Sequence, residues 1–299
     1  MRVGYPCINR SIGCKSDRTF RLRSYSKQRL VETVENNLNC LFKILTFNLK
    51  NHLLFFRITS DLIPFASHSI CRFNWQDHFR GKFEEIGGLI RGAGMRISMH
   101  PDQFTLINSV DDEIFMRSER ELAYHAQVLD LMNLDASAKI QIHIGGVYGN
   151  KEESMRRFVE RFYRLDDAIR RRLAIENDDK LYCLRDCLNI SADTGSPILF
   201  DVFHHGRYNS GESVQQAIES IMGTWNKKRD GIPMVDYSSQ MCDGSPNQHA
   251  ETLDMSDFGA FLKCTSRYDF DIMLEIKDKE KSALKAVKAI ESPRYKPII

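Results

Sequence analysis

The sequence predicts an α/β fold of the (β/α)8 TIM-barrel class, with a metal cluster at the C-terminal rim. Three observations carry this. Short apolar runs rich in β-branched or aromatic residues alternate with longer amphipathic stretches, eight times over. The chain has 299 residues, enough for one barrel of roughly 250. Chemically active side chains recur at the strand ends, where barrel active sites are built. A doubly wound open sheet is the competing solution, but no GxGxxG follows the first strand and no Walker motif occurs. No Pro/Ser-rich linker and no internal repeat interrupts the chain, so a single domain over residues 1–299 is expected.

The elements follow in order. Strands are expected at 2–5, 55–59, 95–99, 139–143, 173–175, 198–200, 232–236 and 271–275. Each is a run too short for a helix and dense in Val, Ile, Leu, Phe or Met. Helices are expected between and after them, at 26–47, 75–91, 112–134, 151–170, 181–194, 211–224, 256–264 and 278–290. In the third of these, Leu122, His125, Ala126, Leu129 and Leu134 recur at helical spacing.

Composition narrows the function. Hydrophobic residues make up 42% and charged residues 27%, which excludes a disordered or fibrous chain. A net charge of +2 excludes a polybasic coat for nucleic acid but leaves room for a local basic groove. The longest apolar stretches, around 40–49 and 53–56, are interrupted by Lys43, Asn48, Asn51 and His52 and could not span a bilayer. The first residues do not resemble a signal peptide, so a cytoplasmic, nucleoid-associated protein is expected. The eight cysteines form no CxxC pair and are expected to be reduced thiols, mostly packing residues.

The chemistry gathers at the strand ends. His68 follows the second strand, His100 the third and His143 the fourth; Glu176, Asp201 and Asp236 follow the next three, and Glu275 closes the eighth. His204 lies three residues past Asp201, and His249 lies in the loop after Asp236. Any one of these histidines would pass as a hydrogen-bonded rim residue, and any one aspartate as a helix cap. Together, five imidazoles and four carboxylates form a mixed N/O donor set suited to Zn²⁺, Mn²⁺ or a similar ion. His52, His78 and His125 lie in helical contexts and are read as structural or solvated.

A divalent cluster suits phosphoester chemistry, because it activates water and offsets charge on phosphate oxygens. Lys15, Arg18, Arg21, Arg23, Lys27 and Arg29 fall in and after the first βα loop and are expected to meet phosphates. Two loops carry residues suited to entering a duplex: Tyr5 to Arg10 after the first strand, and His100 to Phe104 after the third.

These motifs resemble the UV damage endonuclease family. The residues that carry the resemblance are Gly4-Tyr5-Pro6-Cys7 with Asn9, Arg57-Ile58, Leu62 to His68, and Ser98-Met99-His100-Pro101 with Gln103. They continue with His143-Ile144-Gly145-Gly146, Glu176-Asn177-Asp178, Asp201 to His205, Ser239-Gln240, His249-Ala250 and Glu275-Ile276-Lys277. The match runs from Val3 to about Lys279. It implies a barrel with three divalent ions, manganese foremost and zinc, magnesium or cobalt as alternatives. It also implies incision of damaged double-stranded DNA immediately 5′ to a pyrimidine dimer or 6-4 photoproduct, leaving 3′-hydroxyl and 5′-phosphate ends.

The implied ligands are His68, His100, His143, Glu176, Asp201, His204, Asp236, His249 and Glu275, with Glu176, Asp201 and Glu275 also catalytic. The implied lesion-binding residues are Gln103 and Phe104, with Tyr5 and Asn9 nearby. No protein partner or membrane is implied. Two departures stand out. Phe104 replaces a common tyrosine, and Met234 with Asp236 replaces the lysine and histidine of a Pro-Lys-x-His strand end. An abasic-site endonuclease of the endonuclease IV type and a metal-dependent sugar isomerase are the alternative readings. A non-catalytic DNA-binding module is disfavoured, because it gives no reason for four carboxylates that repel phosphate.

Overall fold

The computed structural model describes residues 1–239 and 248–291. Eight parallel strands close into a barrel in sequential order. They are β1 (Val3–Pro6), β2 (Phe55–Ile58), β3 (Arg96–Met99), β4 (Lys139–His143), β5 (Leu173–Glu176), β6 (Ile198–Asp201), β7 (Met234–Tyr237) and β8 (Asp271–Leu274). The helices are α1 (Lys27–Lys50), α2 (Trp75–His78), α3 (Arg80–Gly92), α4 (Asp112–Leu131), α5 (Lys151–Phe162), α6 (Asp167–Arg170), α7 (Leu184–Thr194), α8 (Val202–His205), α9 (Val214–Met222), α10 (Met255–Cys264) and α11 (Glu280–Glu291). Every expected strand is present, displaced by no more than two residues at either end. Two expected helices are each divided in two, at Phe79 and after Phe162.

Local chemistry explains the helix starts. Ser26 caps α1 by accepting the amide of Arg29, and Asp111 caps α4 by accepting those of Glu113 and Ile114. Ser213 and Gln216 form a capping box at α9. The stripe Leu30, Val34, Leu38, Leu41 and Leu45 then buries α1 against the barrel.

Alternation along the strands layers the barrel interior. Lys139 and Asp271 start their strands at the bottom, where Lys139 pairs with Asp230 at 2.5 Å. Phe55, Ala174, Leu199, Met234 and Met273 form an apolar layer with Trp225. Two residues further along each strand stand Arg57, Glu176, Asp201, Asp236 and Glu275. Gly4 has to lack a side chain, since a Cβ there would lie 2.2 Å from the Phe55 carbonyl oxygen.

The cysteine expectation needs correction. Cys14 and Cys40 form a disulfide that clips the first βα loop to α1. Their separation of 26 residues matches no local motif, and only the return of the loop over α1 brings them together. Cys7, Cys71, Cys183, Cys187 and Cys264 are free, and Cys242 lies outside the described residues. Among the described residues, no helix is long and apolar enough to cross a membrane.

Candidate metal and nucleic-acid site

Seven of the nine expected ligands converge, in three overlapping groups: His100, His143 and Glu176; Glu176, Asp201 and His204; and Asp201, Asp236 and Glu275. Strand register makes the convergence, pairing His143 with Glu176 and Asp201 with Asp236 on neighbouring strands. Glu176 is central and 1% exposed. Its oxygens lie 3.2 Å from His100 Nε2, 3.9 Å from His143 Nε2 and 3.6 Å from His204 Nδ1. His249 Nε2 approaches Glu275 at 3.6 Å from outside the three groups. His68 is not brought in. It is exposed, its Nδ1 accepts the Ile70 amide, and it lines a neighbouring cleft with Phe104.

Supporting residues fix the carboxylates. Arg57, 3% exposed, donates from one terminal nitrogen to Asp236 Oδ2 at 2.6 Å and from the other to Glu275 Oε1. Gln141 Nε2 donates to both Glu176 Oε2 at 2.9 Å and Asp236 Oδ2 at 2.8 Å. The Asn177 side chain accepts from the Asp201 amide and donates to the Asp201 carbonyl, and the Asn177 backbone carbonyl meets His204 Nδ1 at 3.0 Å. In the sequence Arg57 and Asn177 stand out only as motif residues, and Gln141 does not stand out at all. Its signal was present: Gln141 stands two residues before His143 and so on the same strand face.

The electrostatics leave negative charge to be offset. Burial alone would raise Glu176, but His143, His100 and His204 outweigh it and hold it well below the usual carboxylate range. Burial raises Glu275 too, yet Arg57 prevails and brings it to about 2. Asp201 is driven far up by burial, and the carboxylates of Glu176, Glu275 and Asp236 add to that against the pull of His204. Burial raises Asp236 to about 7 despite Arg57. Asp236 Oδ1, His143 Nδ1 and His249 Nδ1 are buried with no hydrogen-bond partner. Crowded carboxylates, an unsatisfied buried oxygen and imidazoles facing the same carboxylates fit divalent cations.

The two expected insertion loops divide. Gln103 and Phe104 are exposed, Phe104 by 71%, and the Phe104 amide is held by Asp102 Oδ1 at 2.8 Å. That exposure removes a packing role for Phe104. The first loop is a correction. Tyr5 is fully buried, its hydroxyl donating to Asn48 Oδ1 at 2.5 Å and accepting from Asn9 Nδ2 at 2.8 Å. Tyr5 sits on the outer face of β1 against α1, and Asn9, 4% exposed, goes inside with it. Neither reaches the surface. Met234 is likewise 0% exposed within the apolar layer, below the rim. Lys15, Arg18, Arg21, Arg23, Lys27 and Arg29 are all exposed, and Asn37 anchors the loop through both backbone groups of Arg18. Gln240 lies outside the described residues.

The family model described as UV-endonuclease UvdE matches residues 1–298. A UV DNA damage endonuclease of Clostridium perfringens is 36% identical over 292 residues, which cover 97% of this chain and 71% of that protein. The crystal structure of SacUVDE is similar at 46% identity and a TM-score of 0.93, over 97% of this chain and 98% of that one. Endonuclease IV from Thermus thermophilus, at 13% identity and a TM-score of 0.60 over 97% of each chain, shares the fold alone. With a match along its whole length and a donor-lined rim in place, the chain belongs to the UV-endonuclease UvdE family.

Proposed function

We propose that this protein is a metal-dependent DNA repair endonuclease. It cuts the backbone immediately 5′ to UV lesions, cyclobutane pyrimidine dimers and 6-4 photoproducts, and leaves 3′-hydroxyl and 5′-phosphate ends. The observation that carries this reading is the convergence of seven donor residues at one barrel rim in a chain of this family. Divalent ions there, three in number with manganese foremost, would supply activated water and offset charge on the phosphate.

The chain's own residues do the rest. His100, His143, Glu176, Asp201, His204, Asp236 and Glu275 would hold the ions, with His249 reaching them beside Glu275. His68 stays in the set on the resemblance alone. Arg57 and Gln141 keep the carboxylates oriented, and Asn177 holds the Asp201 backbone and the His204 ring. Phe104 would replace a lost stack while Gln103 hydrogen-bonds a base edge, and the Lys15 to Arg29 segment would meet phosphates.

The test is incision of an end-labelled duplex carrying one dimer, beside undamaged and abasic duplexes, with and without Mn²⁺. A single Mn²⁺-dependent cut at the bond 5′ to the dimer is expected. Incision confined to the abasic duplex would replace this reading with an abasic-site endonuclease.

A further inference from the structure

We infer that Leu181 and Lys180 form a second DNA-contacting tip, facing Gln103 across one cleft. This rests on the endonuclease reading and names substrate-binding residues beyond it. The cleft holds about 480 Å³, and its lining includes His100, His143 and His204 together with Gln103, Lys180 and Leu181. It therefore opens directly onto part of the donor cluster.

Leu181 is 42% exposed and Lys180 is exposed beside it. A lone exposed leucine is ordinary on a protein surface. This one is held out by a loop whose shape is set by its own hydrogen bonds. Asp178 accepts the amides of Lys180 at 2.8 Å, Leu181 at 2.5 Å and Tyr182 at 3.1 Å, and its own amide donates to the Tyr182 carbonyl at 3.0 Å. The Tyr182 ring is buried, and its hydroxyl ties the loop to Gly146 O at 2.9 Å. The Asp179 carboxylate, which would oppose a phosphate, is paired with Arg207 at 3.3 Å, and the Lys180 ammonium stands 3.7 Å from it and 72% exposed.

The Gln103 side of the cleft is built the same way, with Asp102 holding the amide of Phe104. Two pre-formed tips thus flank one opening. A base displaced from a duplex loses its stacked neighbours, and an apolar side chain at the cleft wall replaces part of that contact. Leu181 is placed to cover such a base, and the Lys180 ammonium to meet the adjoining phosphate.

The experiment is single-turnover incision of a single-dimer duplex with Mn²⁺, titrating the enzyme and separating half-saturating concentration from the rate at saturation. Leu181→Ala should raise the half-saturating concentration about tenfold, and Leu181→Met should restore it. Lys180→Ala should raise it about fivefold and lower the slope of log affinity against log salt by about one. Thermal midpoints should not move, because both side chains are exposed. If wild type prefers the dimer duplex but both alanine variants saturate like wild type, this inference alone falls. A loss confined to the rate at saturation would also overturn it, assigning the loop to ligand positioning. If wild type shows no preference for the dimer duplex, the endonuclease reading falls and carries this inference with it.

Discussion

Replacing Arg57 with methionine keeps the side-chain stem and removes a guanidinium lying between Asp236 and Glu275. Two unit charges about 4 Å apart attract by about 4 kcal/mol at an effective dielectric constant of about 20. Arg57 makes one such pair with Glu275 and a weaker one with Asp236, which burial leaves partly protonated near neutral pH, and the desolvation of a buried cation takes back several kcal/mol. The net loss on breaking the network is therefore about 3–5 kcal/mol, the usual range for stranding a buried charge. At about 2.1 cal/mol/K of unfolding entropy per residue, a chain of 299 residues should lose roughly 5–8 °C in Tm. That is the expectation in chelator. Removing a positive charge from the cluster should also strengthen divalent binding, and a ligand of the native state stabilises it through mass action. The Mn²⁺-induced rise in Tm should then be larger for Arg57→Met than for wild type. The assay is thermal unfolding in EDTA and across a Mn²⁺ series. A variant within about 2 °C of wild type in EDTA, or one with a smaller Mn²⁺ shift, would refute the reasoning.

Further outcomes can be measured on the same protein. Glu176→Gln should abolish incision and lower bound metal with the fold retained; near-wild-type incision at modest Mn²⁺ would count against Glu176 as a ligand. Phe104→Ala should weaken lesion binding about ten- to a hundredfold, from roughly 1–3 kcal/mol of stacking, while Tm stays put because the ring is 71% exposed. Burial lowers His125 from 6.5 to about 4. The unfolded chain therefore takes up the proton first, and about 3 kcal/mol of stability should drain away as pH falls from about 6.5 to about 4; in His125→Gln, urea unfolding should show a flatter pH dependence there. Cys14→Ser should cost about 3 kcal/mol, because the disulfide closes a loop of 26 residues; dithiothreitol should lower the wild-type Tm similarly and leave the variant's unchanged.

The residues themselves divide by how locally they are specified. Glu176, Asp201 and His143 were readable because each ends a short apolar run, and in a parallel barrel that end faces the common centre. Gln141 was within reach of the same reasoning, one alternation back along β4. Phe104 was readable as a loop residue, but only its exposure excluded a packing ring. His68 shows the reverse: its place after β2 suggested a ligand, while the loop turns its side chain to the surface.

The eight βα units, the order of the donors and the rim at which they gather are legible in the chain alone, because these follow from periodicity along a few residues. What lies opposite what emerges only when the barrel closes. Barrel closure turned Tyr5 outward onto Asn48 of α1, placed Met234 against Phe55 and Leu199, and set Arg57 between carboxylates more than 170 positions away in sequence. It also returned Cys14 to Cys40 and set Lys180 and Leu181 across a cleft from Gln103. Those pairings depend on strand register and on the path of the loops, which are fixed by the packing of the whole barrel and leave no signature in any local stretch of the chain.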